Sequence, residues 1–194
     1  MLAFGLTLFG ISVAMLLLAD LGLASWDVFH QGIARRTGLS QGVATIATSL
    51  SVLLLWIPLR QRPGVGTLAN ALLVGLVVDA TLALTPEIGN VVGRWLLLIG
   101  GVVLNGVATG MYIGAGLGPG PRDGLMTGIV KRGHSVRVVR TSLEIVVISV
   151  GWLLGGTVGV GTLLFAAAIG PLAHITIPWF VTRTDRLPAM SANR

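Results

Sequence analysis

The chain has 194 residues, of which 54% are hydrophobic and 10% are charged, and its mean hydropathy is +0.90. This composition excludes an ordinary soluble domain and indicates an integral membrane protein. The net charge of +6 is explained by membrane topology rather than by a nucleic-acid partner, since no DNA- or RNA-binding motif is present, and the lack of cysteine excludes disulfides and thiol nucleophiles.

Six apolar segments are each long enough to cross a bilayer core of about 30 Å as a helix. In chain order they cover residues 2–19, 41–59, 66–84, 95–115, 138–155 and 161–180. Tryptophan side chains near the ends of these segments are expected at the level of the lipid headgroups. They are Trp56, Trp95, Trp152 and Trp179.

The first segment lacks the basic start of a cleaved signal peptide, so we expect it to remain as a span. We predict one membrane domain over residues 1–181 and a disordered, polar cytoplasmic tail over residues 182–194.

The two halves of the chain repeat one another. The sequence Gly-Val-Gly-Thr-Leu stands at Gly64–Leu68 and again at Gly159–Leu163, and the flanking residues align as well, giving repeats of about 1–85 and 95–180. Because each repeat has three spans, the second must enter the membrane from the opposite side. The predicted fold is therefore an all-α membrane protein whose six transmembrane helices form two inverted-topology three-helix repeats.

Each half also contains a short helix after its first span, within residues 21–38 and 117–133. A glycine-containing turn precedes each helix, and an aspartate near its start complements the helix dipole. These helices are too short to span the bilayer, so they are either re-entrant or amphipathic and lie on the surface.

The turns before these helices expose backbone amides that could hold an anionic group, and an arginine adds positive charge there. In the alternative interpretation, which we prefer at this stage, the aspartates cap their own helices. The candidate loop site consists of Asp27, Asp123, Arg122, Gly118 and Gly120.

Polar side chains inside the spans form a second candidate site, because each is costly in a bilayer unless it is paired or functional. Asp79 aligns with His174 across the repeat, and such groups can carry a proton or a cation. Glu144 lies one helical turn after Arg140, which predicts an ion pair. The candidate substrate or ion site comprises Asp79, His174, Asn70, Asn105, Glu144 and Arg140.

Two packing features follow from small residues. Gly106, Gly110 and Gly114 recur every fourth residue, and we predict that this face packs against the first span. Thr67 and Thr162, in the repeated blocks, are predicted N-caps of the third span of each half.

The distribution of lysine and arginine predicts the orientation. Ten cations fall on the face that carries the N-terminus and three on the other face, so both termini are predicted to be cytoplasmic. The two sets are Arg60, Arg62, Arg122, Lys131, Arg132, Arg137, Arg140, Arg183, Arg186 and Arg194 against Arg35, Arg36 and Arg94.

No catalytic motif of the H-E-x-x-H or G-x-S-x-G type is present, and the three histidines are scattered along the chain. We therefore expect no enzyme activity, no metal site and no cofactor.

Several long segments resemble the YczE/YyaS/YitT family of bacterial membrane proteins, and the resemblance extends to about residue 180. It rests on ADLGLASWDVFHQGIA (19–34), RQRPGVGTLANALLVGLVVD (60–79), GLGPGPRDGLMTG (116–128), SVRVVRTSLEI (135–145) and GWLLGGTVGVGTLLFAAAIGPL (151–172). The resemblance implies a bacterial inner-membrane protein of a family without an established biochemical activity, and it transfers no catalytic residues.

The inverted repeat and the intramembrane polar residues favour a small-molecule transporter or exporter. The alternative is a non-transporting membrane subunit that binds a cytoplasmic partner protein through the basic loop 122–140.

Overall fold

The computed structural model describes residues 1–86 and 88–180, and in these residues the chain forms eight α-helices joined by short loops. Each predicted span coincides with one long helix to within a few residues, and both predicted short helices are present. The predicted tail, 182–194, lies outside the described residues. The helices are α1 (Leu2–Ala19), α2 (Ser25–Thr37), α3 (Gln41–Leu59), α4 (Val65–Leu84), α5 (Val91–Gly114), α6 (Pro121–Val130), α7 (Val136–Leu153) and α8 (Val160–Phe180).

Five of the described helices, α1, α3, α4, α5 and α8, are long and apolar enough to cross a membrane. Helix α7 has a comparable length of 18 residues, but it carries Arg137, Arg140 and Glu144 and falls outside that composition. The chain is therefore a multi-pass, all-helical membrane protein with five clear candidate spans, and the sixth span stays a prediction.

Helices α1 and α5 pack against each other at the centre of the molecule, and α4 packs on α1 while α8 packs on α5. Close approach depends on small residues: a Cβ on Gly5 would lie 3.0 Å from the Cβ of Met111. A cluster of buried apolar side chains, including Phe9 and Tyr112 with their rings edge to face, fills the space between α1, α4 and α5.

The glycine stripe of α5 does not face α1, so this prediction was wrong about the partner. Gly106, Gly110 and Gly114 instead lie against α8, where the hydroxyl of Thr176 donates a 2.8 Å hydrogen bond to the carbonyl oxygen of Gly106. Helix α1 contacts another face of α5, which contains Asn105. A four-residue spacing identifies a surface for close packing but does not identify the helix that covers it.

The repeated Gly-Val-Gly-Thr-Leu blocks join the two halves. The amide of Gly66, in the first block, donates a 2.8 Å hydrogen bond to the carbonyl of Leu117, in the loop before α6. The amide of Gly161, in the second block, donates an equivalent 2.8 Å bond to the carbonyl of Leu21, in the loop before α2. Each block thus fixes the loop that belongs to the other half.

The block threonines take a different position from the predicted N-cap. Gly64 is the N-cap of α4, and the hydroxyl of Thr67, three residues later, accepts a 3.2 Å bond from the Gly64 amide and donates a 2.7 Å bond to the carbonyl of Pro119. Thr162 likewise accepts a bond from the Gly159 amide, at 3.3 Å. The threonines therefore lie in the first turn of each helix and accept a hydrogen bond from the backbone amide three residues earlier.

Trp95, Trp152 and Trp179 are exposed near helix ends, as expected for interfacial tryptophans, but Trp56 is not. Trp56 is only 2% exposed, and its indole nitrogen donates a 3.0 Å bond to the carbonyl of Pro121, at the start of α6. The ring fits because Gly124 of α6 has no side chain beneath it.

The short helices are enclosed by the bundle rather than laid on its surface. Helix α2 packs on α3 and α7, and helix α6 on α3 and α7. Basic side chains fasten their C-terminal ends: Arg35 of α2 donates to the carbonyl of Gly155 at 2.5 Å, and Arg132, just after α6, donates to the carbonyl of Pro58.

Candidate functional site

Two cavities meet inside the bundle where the first turns of α2 and α6 approach each other. The larger, of about 290 Å³, lies among α5, α6, α7, α8 and the start of α2. The smaller, of about 40 Å³, is enclosed by residues from α1 to α6. Trp26, Tyr112 and Arg122 line both, so we name the two together the central cavities.

Arg122 is the cation of the central cavities, and it projects from the first turn of α6. Its guanidinium carbon lies 5.5 Å from the centroid of the Phe9 ring, a cation–π contact. Among the residues that the structure describes, it has neither a hydrogen-bonding partner nor an ion pair. An arginine stays charged at all relevant pH values and has five N–H donors, so its donors are available for an acceptor inside the cavity.

The neighbouring carboxylates each have another partner. Asp123 accepts a 2.8 Å hydrogen bond from the hydroxyl of Tyr112. The Oδ1 atom of Asp27 lies 3.6 Å from Nδ1 of His30. Neither carboxylate therefore neutralises Arg122 by direct contact.

The aspartates also do not cap their own helices, which was the interpretation preferred from the sequence. Ala24 and Gly120 are the N-cap residues of α2 and α6, and neither helix start receives a side-chain cap. The first-turn amides of both helices remain near the central cavities without a capping side chain.

The smaller cavity has a polar wall. The Nδ1 atom of His30 lies 3.3 Å from the hydroxyl of Thr45. The hydroxyl of Thr48, on the next turn of α3, is buried and has no hydrogen-bonding partner within the part of the chain that the structure describes. A volume of about 40 Å³ is room for about one water molecule, which could join such groups.

The structure brings together most of the loop candidates and some of the span candidates. Asp27, Arg122, Gly120 and Asn70 line the smaller cavity, and Arg122, Asp123, Arg140 and Glu144 line the larger one. Gly118 lines neither cavity. It has a φ of +116°, and a Cβ at this position would lie 2.9 Å from the hydroxyl oxygen of Thr67.

The predicted ion pair is present at the rim of the larger cavity. Nε of Arg140 lies 3.2 Å from Oε1 of Glu144, one helical turn along α7. Both side chains are about half exposed, at 58% and 43%. Arg140 is therefore already paired, in contrast to Arg122.

Asp79 does not reach the central cavities. Its carboxylate accepts a 2.5 Å hydrogen bond from the hydroxyl of Ser40 and a 2.7 Å bond from the amide of Gly42, both at the start of α3. The position of these bonds gives Asp79 a role in capping α3 from the neighbouring helix α4.

His174 and Asn105 are also placed elsewhere. His174 is exposed on α8 and lines neither central cavity. Asn105 is 1% exposed, and its amide nitrogen donates a 2.8 Å bond to the hydroxyl of Ser12 across the α1–α5 contact. Asn105 is thus part of the packing between two central helices.

Sequence reasoning missed many residues that line the central cavities. Those with polar or aromatic side chains include Trp26, His30, Thr48 and Tyr112. One signal was available: His30 follows Asp27 by three residues, which places both on one face of α2. The contribution of Tyr112 depends on α5 packing beside α6, which no local pattern shows.

Comparison with known proteins places the chain in a family. The model of a family of unknown function, DUF6198, matches residues 1–178. An uncharacterised protein of Haemophilus influenzae is 40% identical over 188 residues, covering 96% of this chain and 84% of that protein. The uncharacterised membrane protein YczE of Bacillus subtilis is 35% identical over 160 residues, covering 81% and 74%.

The uncharacterised protein YyaS of Bacillus subtilis is 24% identical over 181 residues, covering 90% of this chain and 89% of that protein. No solved structure matches the chain. The resemblance to YczE and YyaS seen in the sequence is confirmed. The chain belongs to the DUF6198 family, and its relatives include the membrane protein YczE.

Proposed function

We propose that this protein is a small-molecule transporter or exporter whose substrate binds in the central cavities at Arg122. The observation that carries the proposal is an arginine with no paired acceptor among the described residues, inside a cavity to which both halves of the chain contribute. A charged group inside a membrane protein is costly without a partner, and such groups mark substrate pathways. The acceptor that completes Arg122 would be an anionic group of the substrate.

The contacts between helices support the predicted inverted repeat. Helix α1 packs on α4 as its counterpart α5 packs on α8, and α2 packs on α7 as its counterpart α6 packs on α3. The exchanged hydrogen bonds of the two Gly-Val-Gly-Thr-Leu blocks follow the same relation. Transporters built in this way bind substrate between the repeats, often at discontinuous or half-length helices whose N-termini point at an anionic group.

The alternative of a partner-binding subunit receives less support from the basic segment. Arg122 belongs to the cavity, while Lys131 donates to Oε1 of Gln61 and Arg132 donates to the end of α3. These cations help to position α6. If the alternative is correct, a pull-down from bacterial membranes should lose a partner when Arg137, which is exposed, is neutralised.

The test is electrogenic transport by purified protein in proteoliposomes on a solid-supported membrane, with a panel of acetate, lactate, benzoate, decanoate and inorganic phosphate. We expect at least one anion to give a saturable current that Arg122→Gln abolishes and Arg122→Lys partly retains. Arg36→Gln is the matched control, since Arg36 is exposed at the end of α2. A current that persists unchanged in Arg122→Gln would remove Arg122 from the substrate site.

A further inference from the structure

The two halves differ most at one helix contact. Helix α3 packs along α4, but their counterparts α7 and α8, each fully described, make no comparable contact. The larger cavity occupies the space between them, lined by Leu143 and the Arg140–Glu144 pair on α7 and by one face of α8. If α7 spans the bilayer as the sequence predicts, the gap between α7 and α8 faces the lipid.

Sequence differences account for this opening. A Cβ on Gly42 would lie 2.1 Å from the carbonyl oxygen of Gly75, so α3 and α4 touch backbone to backbone. The counterparts are Arg137, which is exposed, and Gly170, where a Cβ would meet no atom of another described element within 4 Å. Asp79, which caps α3, has the exposed His174 as its counterpart. The second half lacks each of the features that close the first.

The wall of the larger cavity changes in character with depth. The face of α8 is apolar along the opening, and Met126 of α6 adds a further apolar side chain. Arg122 is at the inner end, beside Tyr112 and Trp26. The apolar side chains of α8 are Phe165, Ala166, Ile169, Ala173 and Ile177.

We infer that the larger cavity takes an amphipathic anion, with one carboxylate or phosphate group on Arg122 and an apolar tail along α8, and that this molecule enters from the lipid through the α7–α8 opening. The inference rests on the proposed function and names its substrate class. Drug-sized ligand pockets span about 300–1,000 Å³. A cavity of about 290 Å³ therefore suits a single-chain molecule rather than a two-chain phospholipid.

Unused hydrogen-bond donors decide between an anionic and a cationic head. Glu144 pairs with Arg140, Asp123 accepts a hydrogen bond from the neutral hydroxyl of Tyr112, and Asp27 lies 3.6 Å from His30. Arg122, in contrast, has no acceptor for its N–H donors among the described residues. A cationic head would compete with Arg122 for the same space and leave its donors unpaired. An anionic head would complete the set.

The experiment measures binding of radiolabelled decanoate to the full chain in lipid nanodiscs, as the label displaced by excess unlabelled decanoate. We expect saturable binding that is weakened about tenfold or more in Arg122→Gln, equivalent to loss of a charge-assisted contact. Ala166→Trp, which fills the opening, should weaken binding to a similar extent. Leu163→Trp, at a residue of α8 that is 73% exposed, and Arg36→Gln should bind within twofold of the wild type.

Competitors test the chemistry of both ends. Decanol and decylamine should displace the label poorly, because they lack the anion, and acetate should displace it poorly, because it lacks the tail. Displacement by decanol or decylamine as strong as by decanoate would overturn the anionic head. Equal displacement by acetate would overturn the apolar tail, and normal binding by Ala166→Trp would overturn binding at the α7–α8 opening.

Two further outcomes separate this inference from the proposed function and from a second occupant. Saturable decanoate binding with no current for any anion would overturn transport but keep the assigned ligand class. An Arg122-dependent current for acetate or phosphate without decanoate binding would keep transport but overturn the assigned ligand class. A dimer in mass photometry that Ala166→Trp converts to monomer would show that a second copy occupies the opening, and would overturn the inference.

Discussion

Replacement of Asp79 distinguishes a structural carboxylate from an ion carrier. Asp79→Ala removes the acceptor of two hydrogen bonds, from Ser40 at 2.5 Å and from the Gly42 amide at 2.7 Å. Hydrogen bonds to charged groups contribute about 1.5–3 kcal/mol each, and half-burial of Asp79 reduces this, so we expect a loss of about 2–3 kcal/mol in the free energy of unfolding. His174→Ala, at the aligned exposed position, should change it by about 0.5 kcal/mol at most.

The assay is thermal unfolding in detergent, followed by the change in tryptophan fluorescence. For a chain of this size about 1 kcal/mol corresponds to 2–4 °C in Tm, so Asp79→Ala should lower Tm by about 4–12 °C and His174→Ala by about 2 °C or less. Asp79→Asn keeps one acceptor oxygen and should fall between the wild type and Asp79→Ala. An unchanged Tm in Asp79→Ala, together with loss of transport current, would refute the capping role and restore Asp79 as a carrier.

Two further predictions test the packing and the topology. Gly124→Ala places a Cβ 1.9 Å from the buried ring of Trp56, so overpacking should destabilise the protein by about 1–3 kcal/mol. Gly170→Ala, where a Cβ would meet no neighbouring element within 4 Å, should be neutral or stabilising. Thermal unfolding of the two variants measures the difference. A phosphatase reporter fused after Thr85 should be active and one fused after Arg62 inactive, since we propose an inner-membrane protein with cytoplasmic termini. Activity of both fusions, or of neither, would contradict three spans per half.

The helices were predictable because their signals are local. An apolar run of about 20 residues, a glycine-containing turn and an aspartate near a helix start are each visible within one segment. The short helices could be located in this way, but not their depth, because burial of α2 depends on contacts with α3 and α7. The candidate site was accordingly recovered where its residues lie on those helices, as with Asp27 and Arg122.

Assignments that depend on a choice of neighbour could not be read from the chain. Trp56 lies near a helix end, a typical interfacial position, yet Gly124 of a distant segment creates the space that buries it. In its own segment Asp79 is a costly intramembrane charge, but in the fold the start of α3 supplies hydrogen-bond donors to its carboxylate. Trp56 fills space that Gly124 of α6 leaves, and Asp79 accepts hydrogen bonds from the start of α3. Neither contact can be inferred from the segment in which the residue itself lies.

The pattern of retained and altered positions in the repeat is itself informative. The Gly-Val-Gly-Thr-Leu blocks are identical, and each performs the same task, since each amide holds the loop before the short helix of the opposite half. The pairs Gly42/Arg137 and Asp79/His174 differ, and they lie at the α3–α4 contact, for which α7 and α8 have no comparable counterpart. Because the closed contact depends on backbone approach at Gly42, an arginine side chain at the matching position of α7 excludes the same closure. The difference between α3–α4 and α7–α8 is thus encoded in the sequence. For this reason we place substrate entry at α7–α8. We expect any opening of α3–α4 to require release of Asp79 from the start of α3.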